Sequence, residues 1–279
     1  MSRVKILVDS TADVPHEVAR DLGIHVIPLN VHFGDETYLD WVDLSPQSFY
    51  KLLETSPHHP RTSQPSPGDF AKTYEELTAD GSSVVSIHIS RLLSGTMQSA
   101  ELGKAMVEGA RIEIIDSQLA SMAFGVVAVQ AARAAREGRS FEEVVALARD
   151  LCPKVRVFFA VDTLEYLARN GRIGKAQALL GGLLSIKPLL TLEDGLVAPL
   201  EKVRGDRKVI PRIVELLGEQ VPPGSEIRAC FVNANCPDKA GALQAEVEKA
   251  YKLTEVLTAE LGPVIGTHTG PGTVGMMIY

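Results

Sequence analysis

The sequence predicts an α/β protein of two domains. Residues 1–154 form an N-terminal domain with a mostly parallel sheet flanked by helices. Residues 155–279 form a C-terminal α+β domain with a mixed or antiparallel sheet. Three observations predict this. The 279 residues are long for a single hydrophobic core. In the first half, short apolar runs alternate with amphipathic segments of helix length, the pattern of a parallel sheet covered on both faces. In the second half, two apolar runs flank the turn dipeptide Asp194-Gly195, the signal of an antiparallel hairpin.

Taken in order, residues 4–8 read as a strand ending at Asp9-Ser10-Thr11. A helix follows, with Asp13 expected as its cap and Pro15 in its first turn. Residues 26–33 read as one strand, turned at Gly34-Asp35 into residues 37–39 as a hairpin. Ser45-Pro46 and Ser66-Pro67 each open a helix, the first burying Phe49, Leu52 and Leu53, the second Phe70, Tyr74 and Leu77. Between them, residues 56–64 read as a polar loop. Residues 84–89 are an apolar strand interrupted only by Ser86 and His88, followed by a helix expected to turn Leu102, Ala105 and Met106 inward. Residues 112–115 are a strand, and Asp116-Ser117 is expected to cap a buried, small-residue helix over 119–135. Ser140 and Glu143 form a capping box for a helix to about Leu151.

Beyond it, residues 155–161 read as a strand, and Thr163 caps a short helix ended by Asn170-Gly171. The most apolar stretch, 176–192, contains Leu-Leu-Gly-Gly-Leu-Leu, and Gly171-Arg172-Ile173 stands where it could close over that stretch. Residues 196–203 are a strand, and 209–218 a helix that must hold Pro211 in its first turn. Residues 227–232 are a strand and 237–251 a helix. Residues 256–261 and 264–266 read as extended, and 276–279 as a final strand.

Composition narrows the partners. With 28 basic and 35 acidic residues, the net charge of −7 lacks the basic footprint of a nucleic-acid binder. Cys152, Cys230 and Cys236 lack the paired spacing of a zinc site and are expected as reduced, packed thiols. No apolar run approaches the ~20 residues that span a bilayer, and residues 4–8 enter a strand without a signal-peptide core. A cytoplasmic protein with no cofactor and no metal is expected.

Three polar clusters stand in loops after apolar elements. The first is Arg61-Thr62-Ser63-Gln64-Pro65-Ser66, where adjacent hydroxyls precede a proline-locked turn; by composition alone, ordinary turn chemistry is the favoured account of it. The second is Ser94-Gly95-Thr96, at a helix N-terminus where hydroxyls and free N–H groups attract an anion, though a plain cap fits the same residues. The third is His268-Thr269-Gly270-Pro271-Gly272, in which a histidine precedes a turn rich in exposed N–H groups. Spacing alone leaves a structural and a functional reading open at each. Walker A, G-x-G-x-x-G, H-E-x-x-H and G-x-S-x-G patterns are absent.

These clusters occur in one order along nearly the whole chain. They are joined by Val8-Asp9-Ser10-Thr11-Ala12-Asp13, Ile115-Asp116-Ser117, Leu164-Glu165-Tyr166-Leu167, Asn170-Gly171-Arg172-Ile173, Ile186-Lys187-Pro188 and Lys202-Val203-Arg204. In that order they resemble the DegV family, bacterial fatty-acid-binding proteins that serve as lipid-carrying subunits of fatty acid kinase. The resemblance implies a tunnel between two domains that holds a long-chain fatty acid such as palmitate. It also implies that the carboxylate is bound by Thr62 and Ser94 with His268 close by, and by Ser63, Gly95 and Thr96 in lesser roles. It further implies no catalysis by this chain itself. In that family a separate ATP-dependent subunit converts the bound acid to an acyl phosphate, and the resemblance implies that it docks at Arg204. The run after Arg204 departs from the family's more basic pattern at Asp206.

Two other functions compete. In a lipid hydrolase, Ser94 would be the nucleophile, His268 its base and Asp9 or Asp116 the orienting acid. In a regulatory protein, the same hydroxyls would hold some other small anion.

Overall fold

A computed structural model describes residues 3–179 and 186–279. Four apolar residues, Val4, Ile6, Leu7 and Val8, precede Asp9 in the first strand, which is buried from Ile6 onward: β1 (Val4–Asp9) lies between β2 (Ile24–Ile27) and β6 (Ser83–His88). The helix between them, α1 (His16–Leu22), starts at Pro15 without a side-chain cap. Asp13 therefore does not cap it; its carboxylate is turned inward, as described below. The expected strand over 26–33 is divided. Pro28 has no N–H for a sheet ladder, so the chain leaves β2 there and begins β3 (Asn30–Phe33), which pairs antiparallel with β4 (Glu36–Leu39).

Ser45 caps α2 (Pro46–Thr55). The expected loop over 56–64 ends instead in a short strand, β5 (Arg61–Ser63), on the free side of β3. A capping box between Ser66 and Asp69 opens α3 (Pro67–Thr78), which leads to β6 (Ser83–His88), α4 (Thr96–Ala105) and β7 (Ile112–Asp116). The inward face of α4 differs from expectation: Leu102 and Met106 are 52% and 60% exposed. Its small residues face α3, and a Cβ at Gly103 would sit 2.5 Å from Phe70 Cβ and 3.0 Å from the Ala71 nitrogen. A crossing this close admits Gly103 and Ala100, and it turns the large apolar side chains out to solvent.

The buried helix α5 (Met122–Arg136) begins three residues later than expected, after Ser121, and Ser117 instead bonds the Leu119 N–H. A capping box at Ser140 and Glu143 starts α6 (Phe141–Leu151), as the sequence indicates. The second half adds β8 (Arg156–Ala160), α7 (Glu165–Arg169), β9 (Ile186–Glu193) and β10 (Leu196–Arg204). The β9–β10 hairpin turns at Asp194-Gly195, as expected. The Leu-Leu-Gly-Gly-Leu-Leu segment lies, apart from Leu179, outside the described residues. Then follow α8 (Val209–Gly218), with Pro211 in its first turn, β11 (Glu226–Asn233), α9 (Pro237–Ala250) and β12 (Lys252–Glu260).

Residues 263–269, expected in part as extended, form α10 (Pro263–Thr269) before β13 (Val274–Ile278). Pro263 sets the helical φ at the first position, where its missing N–H costs nothing. The β-branched Val264, Ile265 and Thr267 mimic a strand in sequence.

The parallel sheet has the order β2-β1-β6-β7. From β1 the chain goes first to one side and then, at β6, to the other, so the carboxyl ends of β1 and β6 flank a crevice of the kind in which open α/β sheets bind ligands. The second sheet, β10-β9-β8-β13-β11-β12, is mixed: only β11 and β12 run parallel. The layers follow from the clusters of buried side chains. Phe70, Tyr74 and Ala100 cover one face of the parallel sheet. The largest cluster runs from Ile6 and Val8 through Phe124 and Val129 of α5 to Cys230 and Met277, so α5 lies between the two sheets. Ile213, Leu217, Leu243 and Val247 of α8 and α9 cover the outer face of the mixed sheet. Among the described residues no helix is long and apolar enough to cross a membrane.

Candidate functional site

Between the sheets lies a cavity of about 110 Å3. Leu29, Ile89, Val232, Leu261 and Val264 make part of its wall, and Phe159, Leu192 and Met277 another part. Its polar lining includes Thr62, Ser94, His268 and Arg172. Both halves of the chain contribute, and the crevice at the ends of β1 and β6 supplies Thr11 and Ile89.

Thr62 and Ser63 both border the cavity, and their hydroxyls differ in the partners they already hold. In β5, successive side chains point to opposite faces. The Ser63 hydroxyl contacts Asn30 Nδ2 at 3.3 Å and His32 Nε2 at 2.9 Å, so it is committed to β3. Thr62 points the other way and meets His268 Nε2 at 2.9 Å.

His268 is placed by α10, which is fixed at its start by two buried acids. Asp13 accepts the Gly262 N–H at 2.9 Å and the Ser121 hydroxyl at 2.5 Å. Asp40 accepts the Val264 N–H at 3.2 Å. Packing against α2 is tight enough that a Cβ at Gly266 would lie 2.7 Å from Tyr50 Oη. Burial raises the Asp13 carboxyl well above the ordinary range and pushes Asp40 up to about 7, with the Asp9 charge adding to the latter.

Burial pulls His268 down to about 3, and the Arg172 guanidinium and His59 add to the effect. The imidazole is therefore neutral at pH 7, and its Nδ1 has no hydrogen-bond partner among the described residues. Counting protons defines what the pair can offer. Thr62 and a neutral His268 carry one O–H and one N–H between them. One proton is used in their mutual bond, so one remains, on either Thr62 or Nδ1, for a ligand.

Ser94 stands on the same wall. Its oxygen accepts the Thr96 N–H at 3.3 Å and lies 2.8 Å from Thr96 Oγ1. When Thr96 donates in that contact, the Ser94 proton is free. Gly95 and Thr96 are absent from the wall; Thr96 is fully buried behind Ser94 and positions it. Arg172 anchors the loop that closes this end, donating to Leu93 O at 3.2 Å and Asn170 O at 2.6 Å. The sequence singled out its tripeptide for closing over the apolar stretch, but not as the cation beside the histidine. Arg204 lies elsewhere, exposed at the end of β10.

The contacts a hydrolase needs are not made. Ser94 bonds Thr96, His268 bonds Thr62, and Asp116 holds Arg91 at 2.9 Å. Asp9 belongs to a constellation that sequence reasoning missed. His88 Nδ1 lies 2.9 Å from Asp9 Oδ2, Ser86 Oγ lies 2.7 Å from His88 Nε2, and Tyr74 Oη lies 3.0 Å from Ser86 Oγ. The order Ser-His-Asp suggests an esterase, yet all three are 0% exposed and Tyr74 closes the far end. Its effect on the cavity is indirect: Asp9 accepts the N–H groups of Thr11 and Ile89 at 3.1 and 3.0 Å, fixing two wall residues. The signal for it was present, since Ser86 and His88 interrupt an apolar strand at a spacing of two, on one face.

Residues 3–279 match the family described as uncharacterised protein, DegV family. A DegV domain-containing protein of Halalkalibacterium halodurans is 38% identical over 280 residues, covering 100% of this chain and 99% of its own. Among solved structures, a DegV family protein from Thermus thermophilus, described for its fatty acid binding, is similar with a TM-score of 0.93 at 40% identity, covering 99% of each chain. DegV from Bacillus subtilis, described as a fatty acid binding protein, gives a TM-score of 0.89 at 35% identity over 100% of this chain and 99% of its own. With a cavity between a parallel and a mixed sheet, and a family match along almost its full length, the chain belongs to the DegV family.

Proposed function

We propose that this protein binds a long-chain fatty acid in the cavity between its sheets, with the carboxylate at Thr62, Ser94 and His268 and the acyl chain along the apolar wall. The observation that carries this reading is the Thr62–His268 hydrogen bond on the wall of an otherwise largely apolar cavity. The fatty acid binding described for the Thermus and Bacillus relatives supports it.

The energetics are favourable. Palmitate has about fourteen methylenes, each contributing roughly 0.8 kcal/mol on burial. That is about 11 kcal/mol, against association costs of at least about 4 kcal/mol. The tail supplies the affinity, and the head needs only neutralisation and orientation. Hydroxyl donors and a neutral imidazole orient it without the bidentate clamp that would mask the carboxylate. Arg172 adds charge from nearby, its fork already bonded to Leu93 and Asn170 carbonyls.

A grip of this kind suits a carrier, and the second part of the proposal is that the bound acid is presented to a separate ATP-dependent kinase subunit for acyl phosphate formation. Arg204 is its docking residue. The acidic departure at Asp206 does not oppose such docking: Lys239 neutralises it at 3.2 Å, with Lys187 at 4.0 Å. Arg204, Arg207 and Lys208 form no ion pair among the described residues and stay available to an acidic partner.

The test uses a fluorescent fatty acid displaced by palmitate. Thr62→Ala and Ser94→Ala each weaken palmitate binding, and unchanged affinity in both overturns the carboxylate assignment. Arg204→Ala leaves palmitate affinity unchanged but lowers acyl phosphate formation when a kinase subunit and ATP are added; equal formation overturns the docking assignment.

A further inference from the structure

Gly275 is the second residue of β13, paired on both sides and on the cavity wall. Glycine in a strand interior is costly, since it packs nothing and loses much backbone freedom on folding. Its backbone here does not call for glycine: Gly275 is not among the residues with positive φ. The reason lies in what surrounds it.

Its cross-strand neighbours are Phe159 on β8 and Val232 on β11, and both also line the cavity. A Cβ at position 275 would lie 2.7 Å from Phe159 Cβ and 2.9 Å from the Phe158 carbonyl oxygen. In the adjacent row the same face carries Val157, Met277 and Cys230, a filled surface packed toward α5. The inner face of the mixed sheet is thus bare at one place. Phe159 beside it is only half-buried although β8 has a strand on each side, which leaves its ring free to border the void.

We infer that Gly275 and Phe159 together determine which acyl chains the cavity accepts, the glycine letting β8 with Phe159 lie close against β13 and the Phe159 ring setting the width of the channel there. The inference rests on the fatty acid reading above. A methyl group at 275 cannot be relieved by moving β13, which is paired on both edges. Phe159 must then shift into the channel, and the longest or most bent chains are excluded first. In apolar sites a single methylene discriminates between ligands by roughly 10–200-fold.

The test incubates the full-length wild type, Gly275→Ala and Phe159→Leu with an equimolar mixture of myristate, palmitate, stearate and oleate. After repurification, the bound chains are quantified by mass spectrometry. Gly275→Ala lowers the ratio of stearate and oleate to myristate by about tenfold or more, and Phe159→Leu raises it. Wild-type ratios in both folded variants overturn the inference while leaving the fatty acid reading standing. Wild type that binds none of the four acids overturns that reading instead. Should Gly275→Ala fail to fold, Phe159→Leu decides alone, and an unchanged ratio overturns the inference.

Discussion

Thr62 Oγ1 and His268 Nε2 meet at 2.9 Å across 206 positions of sequence. The contact joins β5, an edge strand of the small antiparallel sheet, to α10, the helix that precedes the last strand. Each partner is held from behind: Thr62 by its pairing opposite Val31, and His268 by the acids that fix the start of α10. A ligand therefore meets a donor whose position is set before it arrives, and little ordering entropy is lost on binding.

Replacing Thr62 isolates that donor. A hydrogen bond to a charged group contributes about 1.5–3 kcal/mol, so Thr62→Val, which keeps the shape, weakens palmitate binding by about tenfold or more. Thr62→Ser retains most of the affinity. Titration calorimetry with palmitate checks both, and equal affinity in Thr62→Val contradicts the assignment.

The state of His268 is open to direct observation. Burial and the neighbouring Arg172 charge hold it at about 3, so its ring stays neutral from pH 8 down to below pH 5 in the ligand-free protein. In the unfolded chain the same ring protonates near 6.5. Because the native state resists that proton, this group removes stability as pH falls below about 6.5 and has no effect above it. Nitrogen NMR shifts of the ring check the prediction; a midpoint near 6.5 in the folded protein contradicts it.

Asp40 acts with the opposite sign. Its carboxyl is raised from 3.8 to about 7, so the native state holds the proton more tightly than the unfolded chain. Its contribution to stability falls as pH climbs from about 4 to about 7 and is level beyond. Asp13 is shifted in the same direction. Asp40→Asn keeps an acceptor for the Val264 N–H and removes one of these penalties. Urea unfolding shows the variant more stable than wild type at pH 8, with the gap closing toward pH 4.

The buried Tyr74–Ser86–His88–Asp9 chain is structural. His88→Ala takes one hydrogen-bond partner from Ser86, which keeps Tyr74, and one from Asp9 Oδ2, which keeps the Ile89 N–H, at about 1–3 kcal/mol each, and it loosens Thr11 and Ile89 on the cavity wall. The expected outcome is a lower Tm together with weaker palmitate binding. Activity toward alkyl ester substrates is expected in neither wild type nor variant, and turnover in wild type that His88→Ala abolishes contradicts the structural role.

Much of the candidate site was legible because its residues lie in short, chemically distinctive clusters. Thr62, Ser94 and His268 were each visible as a polar group after an apolar element, and the cavity lies at the strand ends where such sheets bind ligands. What remained hidden depends on long-range pairing. β5 is a three-residue strand that exists only because β3 has a free edge, so a local reading sees a loop. α10 carries β-branched residues that favour strands, and it is helical because Pro263, Asp13 and Asp40 fix its first turn. The outward turn of Leu102 and Met106 follows from how closely α4 approaches α3 at Gly103, which no pattern within α4 encodes. The roles of Asp9, Asp13 and Asp40 depend on partners up to 249 positions away.

Denaturing mass spectrometry of the protein purified from a bacterial host, without added lipid, tests the central claim most directly. The account predicts release of a long-chain fatty acid near one equivalent per chain, strongly reduced when Thr62 and Ser94 are both replaced by alanine. Wild-type protein that releases no fatty acid, and takes up none when palmitate is supplied, would contradict it.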